Sequence, residues 1–419
     1  MRTARVRETI EGYLFLLPSL IVLGIFVFWP IGFSFVLSFF KWDFRNMRHP
    51  TFAGFANYIE IFRFSTPPKY PFLESLLSSA LVVAAALLAA YSLVAIRKRR
   101  DLYTSIVAAV FSIVAFSIMS SLIPLLISNA IVWTLTAVVM KKYSSQALEK
   151  FWTFLFTFLI VAILINQLVP HSYDLMRWLL DAKERNDFLK ALYNTTYYVI
   201  LSVPITLVLA LGIALLLNAE IKFRALFRTA YFIPFVTSVV AISLVWQWIF
   251  NDEYGLLNYF LSWFGVEKIA WLKDERWTIP TVAIVSIWKT VGYDAVIFLA
   301  GLQNIDKFYY EAAEVDGANS FQKFLYITWP LLSPTTFFLT IVSFIGAFKV
   351  FAEVFVLYQG LPGPYNNAGL TMVYYVFDLF YNQQRMGIAC AAAYLLFGII
   401  MIFTFLQFRI GRRMVEYVS

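Results

Sequence analysis

Ionisable side chains inside long apolar stretches either carry function or hold a partner, and this chain has several. Lys289 and Asp294 lie within Trp277 to Gly301, and Lys349 lies within Pro330 to Leu357, with Glu353 four residues further on. Such groups can hydrogen-bond a polar solute, attract an anion or exchange a proton. Lys289 and Asp294 are separated by about 140° around a helix, so they cannot form a simple face pair, and Lys289 points at a pathway or at a partner chain. Lys349 and Glu353 share a helical face. Their spacing leaves two readings open, mutual neutralisation or exposure to a pathway.

No constellation for covalent or metal chemistry accompanies these charges. One cysteine, Cys390, and two histidines, His49 and His171, exclude a disulfide framework and a dense Cys/His metal site within the chain. Asp174, Asp181, Glu184 and Asp187 are spaced as a solvated charged face rather than as paired catalytic carboxylates. No catalytic residue and no metal ligand is assigned. No GxxxxGK[ST] run occurs, nor any Gly-Lys pair, so the chain cannot cradle nucleotide phosphates by that mechanism.

The segment Leu302 to Trp329, LQNIDKFYYEAAEVDGANSFQKFLYITW, has a pattern of its own. Asp306 is placed to cap a helix through Val315 whose Phe308, Ala312 and Val315 share one face while Glu311 and Glu314 face water. Gly317 can take a positive φ and turn the chain. Ser320 is placed to cap a second short helix with Phe321, Phe324 and Leu325, and Pro330 to open the next apolar span. The result is a surface hairpin, either an interfacial tether or a device that seats in a partner, with the small Ala312 and Ala313 allowing close approach.

The elements that position these residues are membrane helices. Of the 419 residues 61% are apolar and only 14% charged, with a mean hydropathy of +0.74, which excludes a water-soluble enzyme. Ten spans of suitable length are expected: Tyr13 to Phe40, Leu76 to Ile96, Leu102 to Met119, Leu122 to Met140, Phe151 to Val169, Leu192 to Leu217, Leu226 to Phe250, Trp277 to Gly301, Pro330 to Leu357 and Met386 to Phe408. Placing a hairpin turn at Ser120, Ser121 and Pro124 puts the basic clusters Arg97 to Arg100, Lys141 with Lys142, Lys222 with Arg224 and Arg228, and Arg409 with Arg412 and Arg413 on one side. That side then has about twice the Lys/Arg density of the other, and both termini are expected in the cytoplasm. The net charge of +8 is thus explained by orientation rather than by nucleic acid, which is not an expected partner. A signal peptide is not expected, because the first span is too long for an h-region and no small-residue cleavage site follows it.

Glu311, Ala312, Ala313, Gly317, Ile327 and Pro330 match the EAA motif of permease subunits of binding-protein-dependent ABC importers, with Trp329 where leucine is usual. The stretches YLFLLPSLIVLGIFVFWPIGFSFVLSFF, GFANYIEIF, FLKALYNTTYYV, FRTAYFIPFVTSVVAISLVWQWIFNDEYGLLN and ITWPLLSPTTFF resemble the maltose-type first permease of the sugar branch. The likeness covers about residues 10 to 63 and 186 to 410. It implies an all-α polytopic fold with a six-helix permease core in residues 1–63 and 186–419, interrupted at 64–185 by a four-helix membrane insert that the family usually lacks.

The resemblance further implies a subunit of an ATP-driven importer of a di- or oligosaccharide, in the cytoplasmic (inner) membrane of a prokaryote. Its implied partners are a second homologous permease, two nucleotide-binding ATPase subunits and an external solute-binding protein. ATP and magnesium would reside in the ATPase, and this chain would bind no cofactor. The loop 302–329 would couple to that ATPase through Glu311, Ala312, Ala313, Asp316 and Gly317. Sugar-contacting positions carried over from the family fall at Phe235 and Ser238, at Ser286, Lys289 and Thr290, and at Ser343, Ala347 and Val350, with Lys349 beside them. Trp246, Trp248, Trp288 and Tyr293 supply nearby aromatic faces. Import of a glycerol phosphate or another polyol is the alternative within this class. Outside it stand an ion-coupled secondary transporter, which would use Asp294 and Glu353, and a membrane-embedded transferase, which would need clustered carboxylates at one membrane face.

Overall fold

The computed structural model describes residues 2–44, 48–80, 174–219 and 222–411, and side chains from residue 13 onward. Three of the ten expected spans, Leu102 to Met119, Leu122 to Met140 and Phe151 to Val169, lie outside the described residues. Of Leu76 to Ile96, only the first turn lies inside. The chain divides into two compact units, one formed by Met1–Arg63 with Asn186–Ser419 and the other by Phe64–Arg185.

Among the described residues the larger unit is mainly helical, with one two-residue antiparallel pair, Phe40–Lys41 with Thr51–Phe52, in which Phe40 faces Phe52. Its elements are α1 (Arg2–Leu23), α2 (Trp29–Leu37), α3 (Ala56–Ile61), α5 (Asp187–Asn218), α6 (Arg224–Val236), α7 (Val239–Ile249), α8 (Leu256–Ser262), α9 (Glu275–Gln303), α10 (Lys307–Val315), α11 (Ser320–Lys323), α12 (Trp329–Leu331), α13 (Ser333–Ala347), α14 (Ala352–Leu357), α15 (Met372–Phe377) and α16 (Met386–Gly411), α4 (Asp174–Lys183) belonging to the smaller unit. A π-turn at Gly24–Phe28 joins α1 to α2, so Tyr13–Leu37 forms one apolar length. Among the described residues four helices are long and apolar enough to cross a membrane: Tyr13–Leu37, α5, α9 and α16. Two bent pairs, α6 with α7 and Ser320–Leu331 with α13, raise the number to six if each is one span.

Two expected spans are therefore broken. Leu226 to Phe250 is two helices bent by 98°, with Thr237 extended between them. Pro234 lacks the N–H that would continue the ladder, and this weakens the last turn of α6 just where the chain turns. Pro330 does not open its span. It lies inside a continuous helix Ser320–Leu331 whose π-turn is Phe324–Thr328, and α13 begins after Leu332 with a 62° bend. Pro334 takes the early-turn position of α13, where its missing N–H costs nothing.

The core lies between α5, α9, α14, α15 and α16, around Val282, Val285, Phe250, Val354, Met372 and Tyr374. A second cluster near the other end of α5 and α9 gathers Ala210, Ala214, Phe298, Leu302, Leu332 and Leu339. Between α14 and α15 the backbone is irregular, with positive φ at Gln359, Gly360, Gly363, Asn366 and Asn367. Irregular backbone at membrane depth must find its hydrogen bonds in protein, and polar side chains of neighbouring helices supply them. Asn194 Nδ2 donates to the carbonyls of Ala368 (3.1 Å) and Leu370 (3.0 Å), and Thr195 Oγ1 accepts from Met372 N at 2.9 Å. Thr371 Oγ1 donates to Val350 O at 2.9 Å.

In the smaller unit the two chain ends are fastened together. Ser65 N donates to Arg185 O at 2.9 Å, Arg185 Nη1 donates to Thr66 Oγ1 and Pro67 O, and Arg185 Nη2 meets Asp181 at 3.1 Å. The Lys69 backbone N–H, at 2.6 Å, and Arg185 hold the Asp181 carboxyl below its ordinary value. Asp181 is thus a structural acceptor, not part of a solvated face. Within the larger unit Asn186 both caps α5 through Leu189 N and donates to the carbonyls of Ile61 and Arg63.

Candidate functional site

The hairpin after α9 is built from local signals that each satisfy an orphan backbone group. Asp306 accepts from Phe308 N at 2.9 Å and starts α10. At the other end Ala318 N donates to Ala313 O (2.9 Å) and Gly317 N to Glu314 O (3.0 Å), with Gly317 at φ +78. These are the two bonds of a Schellman turn, and the left-handed residue they need is the glycine. The second helix is capped by Asn319 rather than Ser320. Asn319 Oδ1 accepts from Gln322 N at 2.9 Å while Gln322 Oε1 accepts from Asn319 N at 2.8 Å, a reciprocal box that a serine one position later could not close.

Two side-chain links lock the arms together: Lys323 to Glu314 at 2.8 Å, and the hydroxyls of Tyr310 and Thr328 at 3.0 Å. Glu311, Ala312, Asp316 and Gly317 are all exposed and Ala313 is half-buried. Around them Val315 is 89% exposed, Phe321 70% and Phe308 69%. The hairpin is held rigid while its acidic and apolar tip is left uncovered.

Along the middle of α9 the sequence-derived path residues fall into separate groups. Phe235, in the last turn of α6, stacks on Tyr293 with ring centroids 4.3 Å apart and planes 15° from parallel, and Lys289 Nζ lies 5.5 Å from the Phe235 centroid. The result is an ammonium against a two-ring aromatic stack beside the α6–α7 break, with Ser238 exposed as the N-cap of α7. Gly292 makes this approach possible, because a Cβ there would run into the Tyr231 backbone carbonyl of α6.

Ser343 Oγ donates to the buried Asp294 Oδ2 at 3.4 Å, joining α13 to α9. Ser286 is buried, and Thr290 spends its hydroxyl on the Ser286 carbonyl at 2.8 Å. Ala347 is the last residue of α13, Lys349 is exposed in the turn that follows, and Val350 is packed in the core. Lys349 and Glu353 do not share a helix, since α13 ends before the first and α14 contains the second, so face-to-face neutralisation along one helix is not realised. Trp246 packs edge-on to Trp288 at 5.8 Å, whereas Trp248 is exposed on the outside of α7.

Several positioning residues carry no sequence signal of function. Gln247 donates to the carbonyls of Val356 (2.6 Å) and Leu357 (3.0 Å), and ties α7 to α14. Asn258 orders the segment between α7 and α9: its Oδ1 accepts from Trp271 Nε1 at 2.9 Å and from Ile269 N at 3.2 Å. A polar residue within an apolar or aromatic stretch is the signal that could have found both.

Residues 179–416 match the family model described as the binding-protein-dependent transport system inner membrane component. The chain belongs to that family. Family members similar to it include the arabinooligosaccharides transport system permease protein AraP of Halalkalibacterium halodurans, 40% identical over 52% of this chain and 70% of the relative. The lactose transport system permease protein LacF of Rhizobium radiobacter is 36% identical over 54% of this chain and 76% of the relative. Among solved structures, a permease chain of a bacterial ABC transporter involved in import of the acidic polysaccharide alginate superposes with a TM-score of 0.50 at 26% identity, over 54% of this chain and 80% of that one. Membership makes this chain an inner-membrane transport component.

Proposed function

We propose that the chain is the permease subunit of an ATP-driven importer of a di- or oligosaccharide, lining half of the translocation path and coupled to a separate ATPase through residues 302–329. The observation that carries the coupling assignment is the hairpin itself. Its backbone groups are capped at both turns, its arms are linked by Lys323–Glu314 and Tyr310–Thr328, and Glu311 with Phe308, Val315 and Phe321 stands exposed at its surface. A mere tether needs neither the rigidity nor the uncovered apolar tip. Glu311 is assigned to a basic residue of the ATPase, Ala312 and Ala313 to close seating, Gly317 to the turn and Asp316 to a flanking charge.

The sugar class rests on relatives named for arabinooligosaccharides and lactose, together with an aromatic stack, Phe235 on Tyr293, of the kind that meets a sugar ring. A second permease, two ATPase subunits and an external binding protein complete the assembly, ATP and magnesium being held by the ATPase. Both termini are assigned to the cytoplasmic side, where the hairpin must lie to meet that ATPase. A glycerol phosphate or another anionic polyol is a second reading, favoured by Lys289, whose ammonium faces an aromatic ring rather than a carboxylate. Reconstituted uptake tests the assignment: Glu311→Lys should abolish ATP-dependent sugar uptake at normal membrane levels, and uptake at the wild-type rate would refute it.

A further inference from the structure

The end of α9 that leads into the hairpin carries a cationic pair that neither the path nor the coupling contact uses. Arg224, the first residue of α6, and Arg228, one turn on, both reach Gln303, the last residue of α9. With the amide turned to accept, as the surrounding donors require, the Gln303 oxygen lies 3.2 Å from Arg224 Nη2 and 3.0 Å from Arg228 Nη2. Two guanidinium groups therefore converge on one neutral acceptor. The Nε of each is buried and donates to nothing. Among the described residues no carboxylate forms an ion pair with either.

A guanidinium offers five donors in a fixed fork that matches phosphate and carboxylate geometry. Two such forks, with no carboxylate paired to them among the described residues, offer an anion a site that it can bridge. The surroundings say which kind. Lys222 is exposed next to the pair, and Phe223, Leu226 and Phe227 present exposed apolar side chains on the same first turns. Phe223 adopts φ +62, a region bulky residues enter only at a cost, and its ring is 75% exposed. Cations to meet a headgroup and apolar side chains to meet acyl chains, at the end of a membrane helix, form a lipid-shaped combination rather than a pocket for a soluble ion.

We propose that Arg224 and Arg228 bind the phosphate of an anionic phospholipid headgroup at this end of α6 and α9. Such a lipid would brace the broken α6–α7 segment against the residue from which the hairpin departs. The site is independent of the coupling assignment, since it needs no ATPase.

Native mass spectrometry of the full chain, released from nanodiscs containing equal phosphatidylglycerol and phosphatidylcholine, tests it. The wild type should retain phosphatidylglycerol in preference, and Arg224→Gln with Arg228→Gln should lower that retention roughly tenfold, the effect of losing one or two charge-assisted contacts. Gln303→Glu should also displace the lipid while preserving or raising heat resistance, because its carboxylate satisfies both arginines in place. Thus lipid loss is separated from misfolding. Equal retention in wild type and Gln303→Glu, or no preference in the wild type, would overturn the proposal. Heat protection of the wild type by inorganic phosphate without any phosphatidylglycerol adduct would also overturn it, in favour of a soluble anion.

Discussion

Replacing Gly317 in graded steps separates a docking hairpin from a passive connector, because the cost of each step follows from the backbone alone. Gly317 sits at φ +78, and a Cβ built on it meets nothing within 4 Å. No clash with the rest of the molecule therefore enters, only the local cost of the left-handed backbone. Alanine must adopt a left-handed conformation at about 1–2 kcal/mol, which lowers the fraction of correctly turned hairpin by a factor of roughly 5–30 where the hairpin is marginal. Asparagine tolerates that region and should cost only a few tenths of a kcal/mol. Proline fixes φ near −65° and removes the N–H that donates to Glu314 O at 3.0 Å, so about 3 kcal/mol or more is lost, on the order of a hundredfold or beyond. The assay is the affinity of the full chain in nanodiscs for its ATPase subunit, measured beside sugar uptake in proteoliposomes. Affinity and uptake should fall in the order asparagine, alanine, proline, with normal insertion throughout. A flat series, or a proline variant that binds and transports like wild type, would refute the reasoning.

Further outcomes follow from the path and the loops. Lys289→Ala removes the ammonium above Phe235 and should change the uptake rate or the preference between neutral and anionic sugars; unchanged kinetics across several substrates would make Lys289 a packing residue. Gly292→Ala drives a methyl into the Tyr231 carbonyl and should destabilise the α6–α9 packing by about 1–3 kcal/mol, read from the denaturant midpoint in detergent. On the segment before α9, a 2.7 Å bond from Lys273 holds the Asp252 carboxyl below its ordinary value, and the same bond holds the Lys273 ammonium above its own. A lowered carboxyl contributes above its unfolded value and is lost as pH falls through the folded one. A raised ammonium contributes below its unfolded value and is lost as pH rises through the folded one. The small deficit of Asp252→Asn in heat resistance should therefore be largest near neutral pH and vanish at both extremes; a constant deficit would assign it to packing.

What the sequence makes legible here is what hydropathy and caps encode. Span lengths near α5, α9 and α16 come from the bilayer's thickness, and Asp306 and Gly317 announce the hairpin because few residue types can do what those positions demand. The breaks were not legible. Pro234 and Pro330 each stand two or three residues before a bend, at Thr237 and at Leu332, but a proline in an apolar helix can equally be absorbed, since its position alone does not say whether neighbouring helices re-satisfy the freed carbonyls. Asn319 displaced Ser320 because the Gln322 side chain closes a reciprocal box only from the earlier position. The pairing of Lys349 with Glu353 failed because it presumed one helix across a segment that ends at Ala347 and restarts at Ala352. Long-range clamps such as Asn194 on Leu370 or Gln247 on Val356 join residues more than a hundred positions apart: a polar side chain in an apolar stretch marks one end, and no local pattern names the other.

The most direct measurement is mass-spectrometric identification of the proteins that copurify with this chain from its native membrane in mild detergent, wild type beside Glu311→Lys. A Walker A ATPase and a second permease with its own EAA loop should copurify with the wild type, and the ATPase should be lost when Glu311 is reversed in charge. A stable chain that purifies without any ATPase, or an ATPase retained undiminished by Glu311→Lys, would contradict the account.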